Sequence, residues 1–178
     1  IEQHTFYNTS YTDEQTTEYS KSEKVLINGV PTVKQYAPGR AYVGENIGTT
    51  ITSAFNQANE IYKLTYNSNG EICNTNGYYG INELIVKHVV NSEGQEVYLY
   101  KGKDGKTVCK KIFDGTNWLY TYNVYDIRGR AKYSVPPKAM ALLSANSCLS
   151  STNVSKLCVG ITYDKYSKAL TQQMPGKD

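Results

Sequence analysis

The stretch Tyr122-Asn-Val-Tyr-Asp-Ile-Arg-Gly-Arg-Ala-Lys-Tyr-Ser-Val-Pro-Pro-Lys-Ala139 predicts a β-hairpin that is followed by an abrupt end of the sheet. Its opening residues are mostly aromatic or β-branched, as is typical of a strand, and Asp126 to Gly129 supply turn residues. A second extended run leads to Pro136 and Pro137, which end strand pairing because proline has no backbone N–H donor. The stretch therefore indicates an element that builds sheet.

A weaker copy of this pattern closes the chain, in Cys158-Val-Gly-Ile-Thr-Tyr-Asp-Lys-Tyr-Ser-Lys-Ala-Leu-Thr-Gln-Gln-Met-Pro-Gly176. Tyr163 and Asp164 stand where Tyr125 and Asp126 stand in the first copy, and a proline again follows the second run. Two copies predict a hairpin unit that the chain uses repeatedly.

Apolar segments alternate with turn signals through the middle of the chain, which predicts an antiparallel meander. After Pro137 the pattern changes to Lys-Ala-Met-Ala-Leu-Leu-Ser-Ala, whose strong helix formers predict one short helix over 137–144. The predicted fold class is all-β, a hairpin meander with that single helix. The turn signals are Asn67-Ser-Asn-Gly70, Asn91-Ser-Glu-Gly94, Lys103-Asp-Gly-Lys106, Asp114-Gly115 and the Asp126 turn.

The chain of 178 residues is long enough for one domain of moderate size. Residues 1–19 are rich in Thr, Glu and Gln without periodicity, so we expect a flexible lead-in. Residues 20–178 are predicted to form a single β-rich domain that ends in hairpins over 118–137 and 157–176. The absence of an initiating Met and of a signal peptide is typical of a processed or excised piece.

Tyrosine dominates the apolar composition, with 17 residues against 3 phenylalanines and 1 tryptophan. A tyrosine buries its ring and keeps its hydroxyl hydrated, which suits thin sheets with one exposed face. The net charge is only +3, and the lysine-rich segment 101–111 surrounds an Asp-Gly turn, which favours a solvated hairpin over a nucleic-acid surface. No apolar run is long enough to span a bilayer, so no membrane insertion is predicted.

The four cysteines show no paired C-x-x-C spacing, and the only histidines are His4 and His88, so a metal site is poorly supported. Cys148 and Cys158 bracket a Ser/Asn-rich loop. They either close a disulfide or are both small buried residues. The disulfide state of all four, Cys73 and Cys109 included, stays open at this point.

An enzyme needs a base or a nucleophile oriented by a further group, and two histidines leave few ways to build one. Strand alternation places His88 on the same face as Val86 and Val90, which favours a partly buried structural histidine. The turn positions of Asp104, Asp114, Asp126 and Asp164 account for their presence. Lysines flank Asp104, which argues against a calcium loop. We predict no catalytic residues, metal ligands or cofactor.

Several blocks of this chain, in the same order, resemble the Rhs family of tyrosine-aspartate repeat proteins, in particular the repeat-leading domain typical of Bacteroidota. The resemblance covers roughly Tyr19 to the end of the chain. The matching blocks are Tyr36-Ala-Pro-Gly39, Ala58-Asn-Glu-Ile-Tyr-Lys63, Lys103-Asp-Gly-Lys-Thr-Val-Cys-Lys-Lys111, Trp118-Leu-Tyr-Thr-Tyr-Asn-Val-Tyr-Asp126, Tyr133-Ser-Val-Pro-Pro137, Leu157-Cys158, Tyr163-Asp164 and Met174-Pro-Gly176.

The resemblance implies a secreted or cell-surface protein in which hairpin arrays form a β shell around a C-terminal effector, often a toxin. Its partners would be the remainder of the same polypeptide, with further repeats and the effector. Within the repeat motif, Tyr125 packs along the sheet, Asp126 and Gly129 make the turn, and Arg130 extends from it. In the second copy Ser167 and Lys168 replace the expected Gly and Arg, which puts that turn's geometry in question.

An isolated section of such an array would leave open sheet edges that need covering. Pairing at such an edge is discouraged by proline and lysine, here by Pro31, Pro136 and the lysines of the lysine-rich strands.

An alternative is an extracellular recognition module that binds a surface glycan or a protein. Trp118, Tyr120 and Tyr122 would form its aromatic surface, with further rings at Tyr78, Tyr79, Tyr98 and Tyr100. Packing of the same rings in the core or across strands is the interpretation we prefer. Flat, coplanar rings exposed in a groove would favour recognition, and rings packed between sheets would favour a scaffold.

Overall fold

The computed structural model describes residues 19–39, 42–43 and 47–176. The fold is mostly antiparallel β-sheet, so the predicted all-β class is confirmed. The predicted lead-in lies outside the described residues except for Tyr19, which is exposed.

Thirteen strands and two short helices lie within the described ranges. The strands are β1 (Lys21–Ile27), β2 (Val30–Tyr36), β3 (Thr49–Phe55), β4 (Thr65–Tyr66), β5 (Ile72–Cys73), β6 (Ile85–Val90), β7 (Glu96–Lys101), β8 (Thr107–Phe113), β9 (Trp118–Tyr125), β10 (Ala131–Val135), β11 (Cys148–Leu149), β12 (Val159–Tyr163) and β13 (Ala169–Gln173). The helices are α1 (Pro137–Met140) and α2 (Ser151–Leu157).

The chain divides into two compact units. The first comprises Ile1–Ala54 and Lys87–Val97, and the second comprises Phe55–Val86 and Tyr98–Asp178. The division passes through β6 and β7, so each of these strands contributes residues to both units. The sequence shows no composition shift at these points, and the single domain over 20–178 stays a prediction.

The first unit contains the antiparallel ladder of β1, β2 and β3. Asn28 and Gly29 join β1 to β2, and both have positive φ (51° and 79°), as a two-residue Asn-Gly hairpin requires. Tyr36 is buried at the end of β2, and its hydroxyl donates a hydrogen bond of 2.8 Å to Glu23. The ladder therefore follows from the short-range turn chemistry of the sequence.

In the second unit the strands lie in the order β8-β9-β10-β12-β13, all paired antiparallel. A separate three-stranded sheet has the order β11-β5-β4. Both predicted hairpins are present, as β9–β10 and β12–β13. They contain the two Tyr-Asp turns on which the candidate site depends.

The core of the second unit is built from alternate residues of its strands and from the two helices. In β9, Tyr122 and Val124 are buried whereas Leu119 is exposed, which is the two-residue period of a half-exposed strand. Tyr100 is fully buried, and its hydroxyl donates to Glu60, so the polar group stays satisfied inside the core. The sequence therefore meets its shortage of aliphatic residues with buried tyrosines.

Helix α1 begins as the sequence predicts. Pro136 is the extended N-cap residue and Pro137 is the first helical residue, where a missing N–H has no cost. The helix ends at Met140, earlier than the predicted limit of 144, and it buries Ala139.

The sequence pattern does not predict helix α2, because its Ser, Thr and Asn residues have low helix propensity. The signal that could have found it is Ser150, whose hydroxyl accepts the Asn153 N–H at the helix start. Burial of Val154 against the core then compensates for the weak propensity.

The disulfide joins Cys73 to Cys148, so the pairing of Cys148 with Cys158 is wrong. The reason is register: Cys148 of β11 lies directly opposite Cys73 of β5. The second alternative, two buried cysteines, holds for Cys158 but not for Cys148, which is exposed and disulfide-bonded. Cys109 is another buried free thiol. Burial raises the pKa of the Cys109 thiol to about 12 and that of Cys158 to about 11, so both are protonated and unreactive at neutral pH.

Candidate functional site

One five-residue turn recurs along the described chain. The first residue is Asn or Asp, the fourth has positive φ, and the fifth comes directly before the return strand. The side-chain oxygen of the first residue accepts the N–H groups of the third and fifth, which fixes the turn from within. The four examples are Asn67–Glu71, Asn91–Gln95, Asp126–Arg130 and Asp164–Lys168.

The Gly102–Lys106 turn has the same backbone bonds with a different first residue. The Gly102 N–H donates to the carbonyl of Lys106, and the Gly105 N–H donates to the carbonyl of Gly102. Here Asp104, the third residue, accepts the Lys106 N–H. The fifth position is therefore occupied by Lys106, Arg130 and Lys168 in the three turns of the second unit that matter below.

Asp126 and Arg130 form an ion pair within their own turn. The Arg130 Nε lies 2.7 Å from Asp126 Oδ2, and the Arg130 backbone N–H donates to Oδ1. Burial by itself raises the pKa of Asp126, but the donors of Arg128 and Arg130 outweigh it and hold that pKa below its usual value. The Asp126 carboxylate therefore has a structural role, which is to stabilise the turn.

The second copy forms the same turn although Ser167 replaces glycine. Ser167 adopts φ +68°, close to the +73° of Gly129. The Asp164 carboxylate accepts the N–H groups of Tyr166 and Lys168, as Asp126 does in the first copy. The departure seen in the sequence therefore leaves the geometry intact and places a non-glycine residue in a left-handed conformation.

Arg130 also joins the two Tyr-Asp turns to each other. Its guanidinium carbon lies 4.5 Å from the centre of the Tyr163 ring, and Nη1 donates to the Asp164 carbonyl and to Ser167 Oγ, each at 3.3 Å. In return, the Tyr163 hydroxyl donates 2.7 Å to the carbonyl of Ala131. We call this set of contacts the Arg130 clasp.

Lys106 makes the corresponding contacts one hairpin earlier. Its ammonium pairs with Asp104 at 2.6 Å and lies 5.8 Å from the centre of the Tyr125 ring. It also lies against Gly129, the fourth residue of the next turn, as Arg130 lies against Ser167. The Tyr125 hydroxyl donates 2.8 Å to the carbonyl of Thr107. This set, the Lys106 clasp, repeats the Arg130 clasp with a different cation.

The structure thus places the predicted repeat residues in two roles. Tyr125, Asp126, Gly129 and Arg130, with Tyr163 and Asp164, take part in the turns or in the clasps. Pro136 and Pro137 instead end β10 and begin α1. Sequence reasoning misses Lys106 and the tyrosine hydroxyl bonds, because these contacts depend on register between strands.

The aromatic residues Trp118, Tyr120 and Tyr122 line one groove of about 490 Å³. Tyr62, Tyr78 and helix α1 form its other sides, and Glu60 and Asn59 add polar groups. The Tyr120 and Tyr122 rings are within 20° of parallel with centroids 6.4 Å apart. The predicted residues do converge on one surface.

That surface is not a flat exposed platform, however. Tyr122 belongs to the core, burial raises the pKa of its hydroxyl, and that hydroxyl accepts the Tyr62 N–H. Lys111 lies 4.5 Å from the Trp118 ring centre and 5.6 Å from that of Tyr120. Cross-strand packing therefore explains the position of much of this aromatic surface, and the part that is not packed lines the groove.

The histidines and the remaining turn carboxylates have local partners where they are described. His88 Nε2 lies 2.9 Å from Glu96 Oε2, while His4 lies outside the described residues. Asp114 accepts the N–H groups of Thr116 and Asn117. In the described ranges no group of three or more His, Cys, Asp or Glu is placed to hold a metal ion. Neither described helix has the length and hydrophobicity needed to cross a membrane.

No family model matches this chain, no curated protein matches it significantly, and no solved structure matches its fold significantly. The function of the chain is therefore inferred from the contacts within it and from the sequence resemblance.

Proposed function

We propose that this chain is a non-catalytic structural segment of a secreted or cell-surface tyrosine-aspartate repeat protein of the Rhs type. Its hairpins form part of a β shell that encloses or presents a C-terminal effector, and the partners are further repeats of the same polypeptide. The observation that supports this most is the recurrence of the clasp, at Lys106 with Tyr125 and at Arg130 with Tyr163.

The chemistry of the clasps favours a structural role. Each cation contacts its own turn aspartate and the next tyrosine ring, and each tyrosine hydroxyl is bound to a backbone carbonyl. A cation over an aromatic ring contributes about 0.5–1 kcal/mol at exposed sites. Contacts of this size, repeated at successive Tyr-Asp hairpins, stiffen an array without leaving reactive groups free.

The disulfide supports the proposed location. Disulfides persist in oxidising environments such as the cell exterior, and they are rare in the cytosol of most organisms. The bond between Cys73 and Cys148 joins two short strands of the second unit.

The first test is the reading frame that encodes this chain. We expect it to continue into further Tyr-Asp hairpins and to end in a domain of unrelated sequence. A frame that stops here, or that continues without repeats, would contradict the proposed function.

The second test is protection of the effector in the full-length polypeptide. We expect limited proteolysis to spare the effector, and Arg130→Met to expose it sooner because the Arg130 clasp is lost. Ile127→Ser is the matched control, since Ile127 lies in the same turn and is fully exposed. Equal cleavage in both variants would argue against a wall role for the clasp.

A second candidate is carbohydrate or protein recognition at the aromatic groove, and the convergence of its rings with Glu60 and Asn59 favours it. Sugar rings stack on aromatic faces while carboxylate and amide groups bind their hydroxyls. Trp118 is the only tryptophan and lines the groove, so its fluorescence reports occupancy. We would titrate soluble oligosaccharides and peptides, with Tyr120→Ala as the variant that weakens binding. An unchanged spectrum at millimolar ligand would exclude this candidate.

A further inference from the structure

Strand β13 ends the strand order of the second unit, and none of the strands in the described ranges pairs with its outer edge. All five of its residues are exposed, and Leu170 is 64% exposed. Its sequence Ala-Leu-Thr-Gln-Gln carries no charge and no proline. By contrast β1, the first strand of its own unit, carries Lys21, Glu23 and Lys24. Edge strands without charge or proline are the ones that accept a further strand.

Lys168 and Ala169 hold the same positions relative to β13 as Arg130 and Ala131 hold relative to β10. Each pair follows the fourth residue of an aspartate turn, and Ala169 lies opposite Tyr163 as Ala131 lies opposite Tyr125. Each hairpin also has a register shift at this point. The start of β13 therefore repeats the start of β10.

The register of the clasps is the same in both ladders. Cys109 of β8 pairs with Tyr122 of β9, and continuing that ladder places Tyr125 opposite Lys106. Tyr133 of β10 pairs with Gly160 of β12, and continuing that ladder places Tyr163 opposite Arg130. In both, the tyrosine ends the neighbouring strand and comes directly before its turn aspartate.

Within the described ranges, the cation position of a third clasp is present at β13, without the ion pair to a turn aspartate that Lys106 and Arg130 make. The Lys168 side chain is exposed, and its ammonium has no partner among the described residues. Arg130 and Lys106, the equivalent cations, each lie over a tyrosine of the adjacent strand.

We infer that the β13 edge is a docking site for an antiparallel β-hairpin whose strand ends in Tyr followed by an Asp or Asn turn. The tyrosine lies opposite Lys168, its ring under the ammonium, and its hydroxyl donates to the carbonyl of Ala169. This inference rests on the proposed function and names the partner that the edge selects: a further hairpin of the same repeat type.

The test uses the full chain and a backbone-cyclised hairpin peptide with the sequence of residues 159–173, which contains the strand ending in Tyr163. Cyclisation removes most of the ordering cost of a free peptide. Hydrogen exchange locates the binding site, and fluorescence polarisation of the labelled peptide gives the affinity. We expect slowed exchange of the β13 amides.

Two substitutions test the clasp itself. A peptide with Phe in place of its Tyr163 lacks the hydroxyl donor, and a chain with Lys168→Met lacks the cation. We expect each to bind about fivefold more weakly, as loss of one hydrogen bond or one cation–π contact of roughly 1 kcal/mol implies. Lys165→Met is the matched control, because Lys165 lies in the same turn over Tyr166, and it should bind like the parent.

The outcomes separate this inference from the proposed function. Slowed exchange at β13 without dependence on Tyr163 or Lys168 would overturn the clasp at this edge and leave the hairpin array standing. No change at β13 with millimolar peptide, or a dimer of the chain paired through β13, would overturn the docking site altogether. A reading frame without further repeats would contradict the array, while tyrosine-dependent binding would still support the site.

Discussion

Ser167 holds a backbone conformation that glycine adopts without strain. At φ +68° a residue with a Cβ atom costs of order 1 kcal/mol relative to glycine. Ser167→Gly should therefore raise the free energy of unfolding by about 1 kcal/mol, measured by urea denaturation. The lost contact between Ser167 Oγ and Arg130 is exposed and offsets little of this gain. An unchanged or lower stability would show that the hydroxyl contact matters more than the backbone.

Gly129 is the converse case at the same turn position. Its φ is +73°, and a Cβ atom would meet the Lys106 ammonium. Gly105 is the control, since its φ is +79° and a Cβ atom there would meet nothing within 4 Å. Gly105→Ala should cost about 1 kcal/mol, and Gly129→Ala more, because the Lys106 clasp must also move. Equal losses of stability for Gly105→Ala and Gly129→Ala in denaturant melts would show that Lys106 does not contribute to the cost at this turn.

Asp126 makes stability sensitive to acid. Its folded-state pKa lies below the usual value, so the stabilisation it provides is complete above the unfolded pKa of about 4 and is lost as pH falls through the folded pKa. The melting temperature should therefore decrease as the pH is lowered below about 4. The variant Asp126→Asn should be less stable at neutral pH, and its stability should depend less steeply on acid. Parallel pH profiles for the parent and the variant would show that the Arg130 pair contributes nothing.

At the scale of elements, the hairpins are predictable because their causes are local. Asn-Gly and Asp-containing turns specify their own hydrogen bonds within five residues, so the sequence locates the β9–β10 and β12–β13 hairpins. Helix α2 escapes prediction because burial of Val154 outweighs poor propensity, and burial depends on distant residues. The clasps cannot be predicted from the local sequence for a similar reason, because Lys106 contacts Tyr125 only when β8 and β9 are paired in the correct register.

The disulfide is a connection between elements that no local pattern reveals. Cys73 and Cys148 are 75 residues apart, and a bond closing a loop of that length is expected to stabilise by about 4 kcal/mol through the unfolded state. The double variant Cys73→Ser with Cys148→Ser should lose stability of that order in urea. A reducing agent should destabilise the parent alone, and an equal effect on the double variant would contradict this pairing.

At the scale of the whole molecule, the four cysteines report how tightly the second unit is closed. Cys109 and Cys158 are buried free thiols with raised pKa values, so both react only when the structure opens. A thiol reagent at pH 8 should find no fast-reacting group in the native chain, two in denaturant, and four after reduction. Mass spectrometry of the denatured, alkylated chain should place the label on Cys109 and Cys158, with Cys73 and Cys148 joined in one peptide pair. Label on Cys73 would overturn the disulfide assignment, and rapid native labelling of Cys109 would show that the core around Tyr100 and Tyr122 is open.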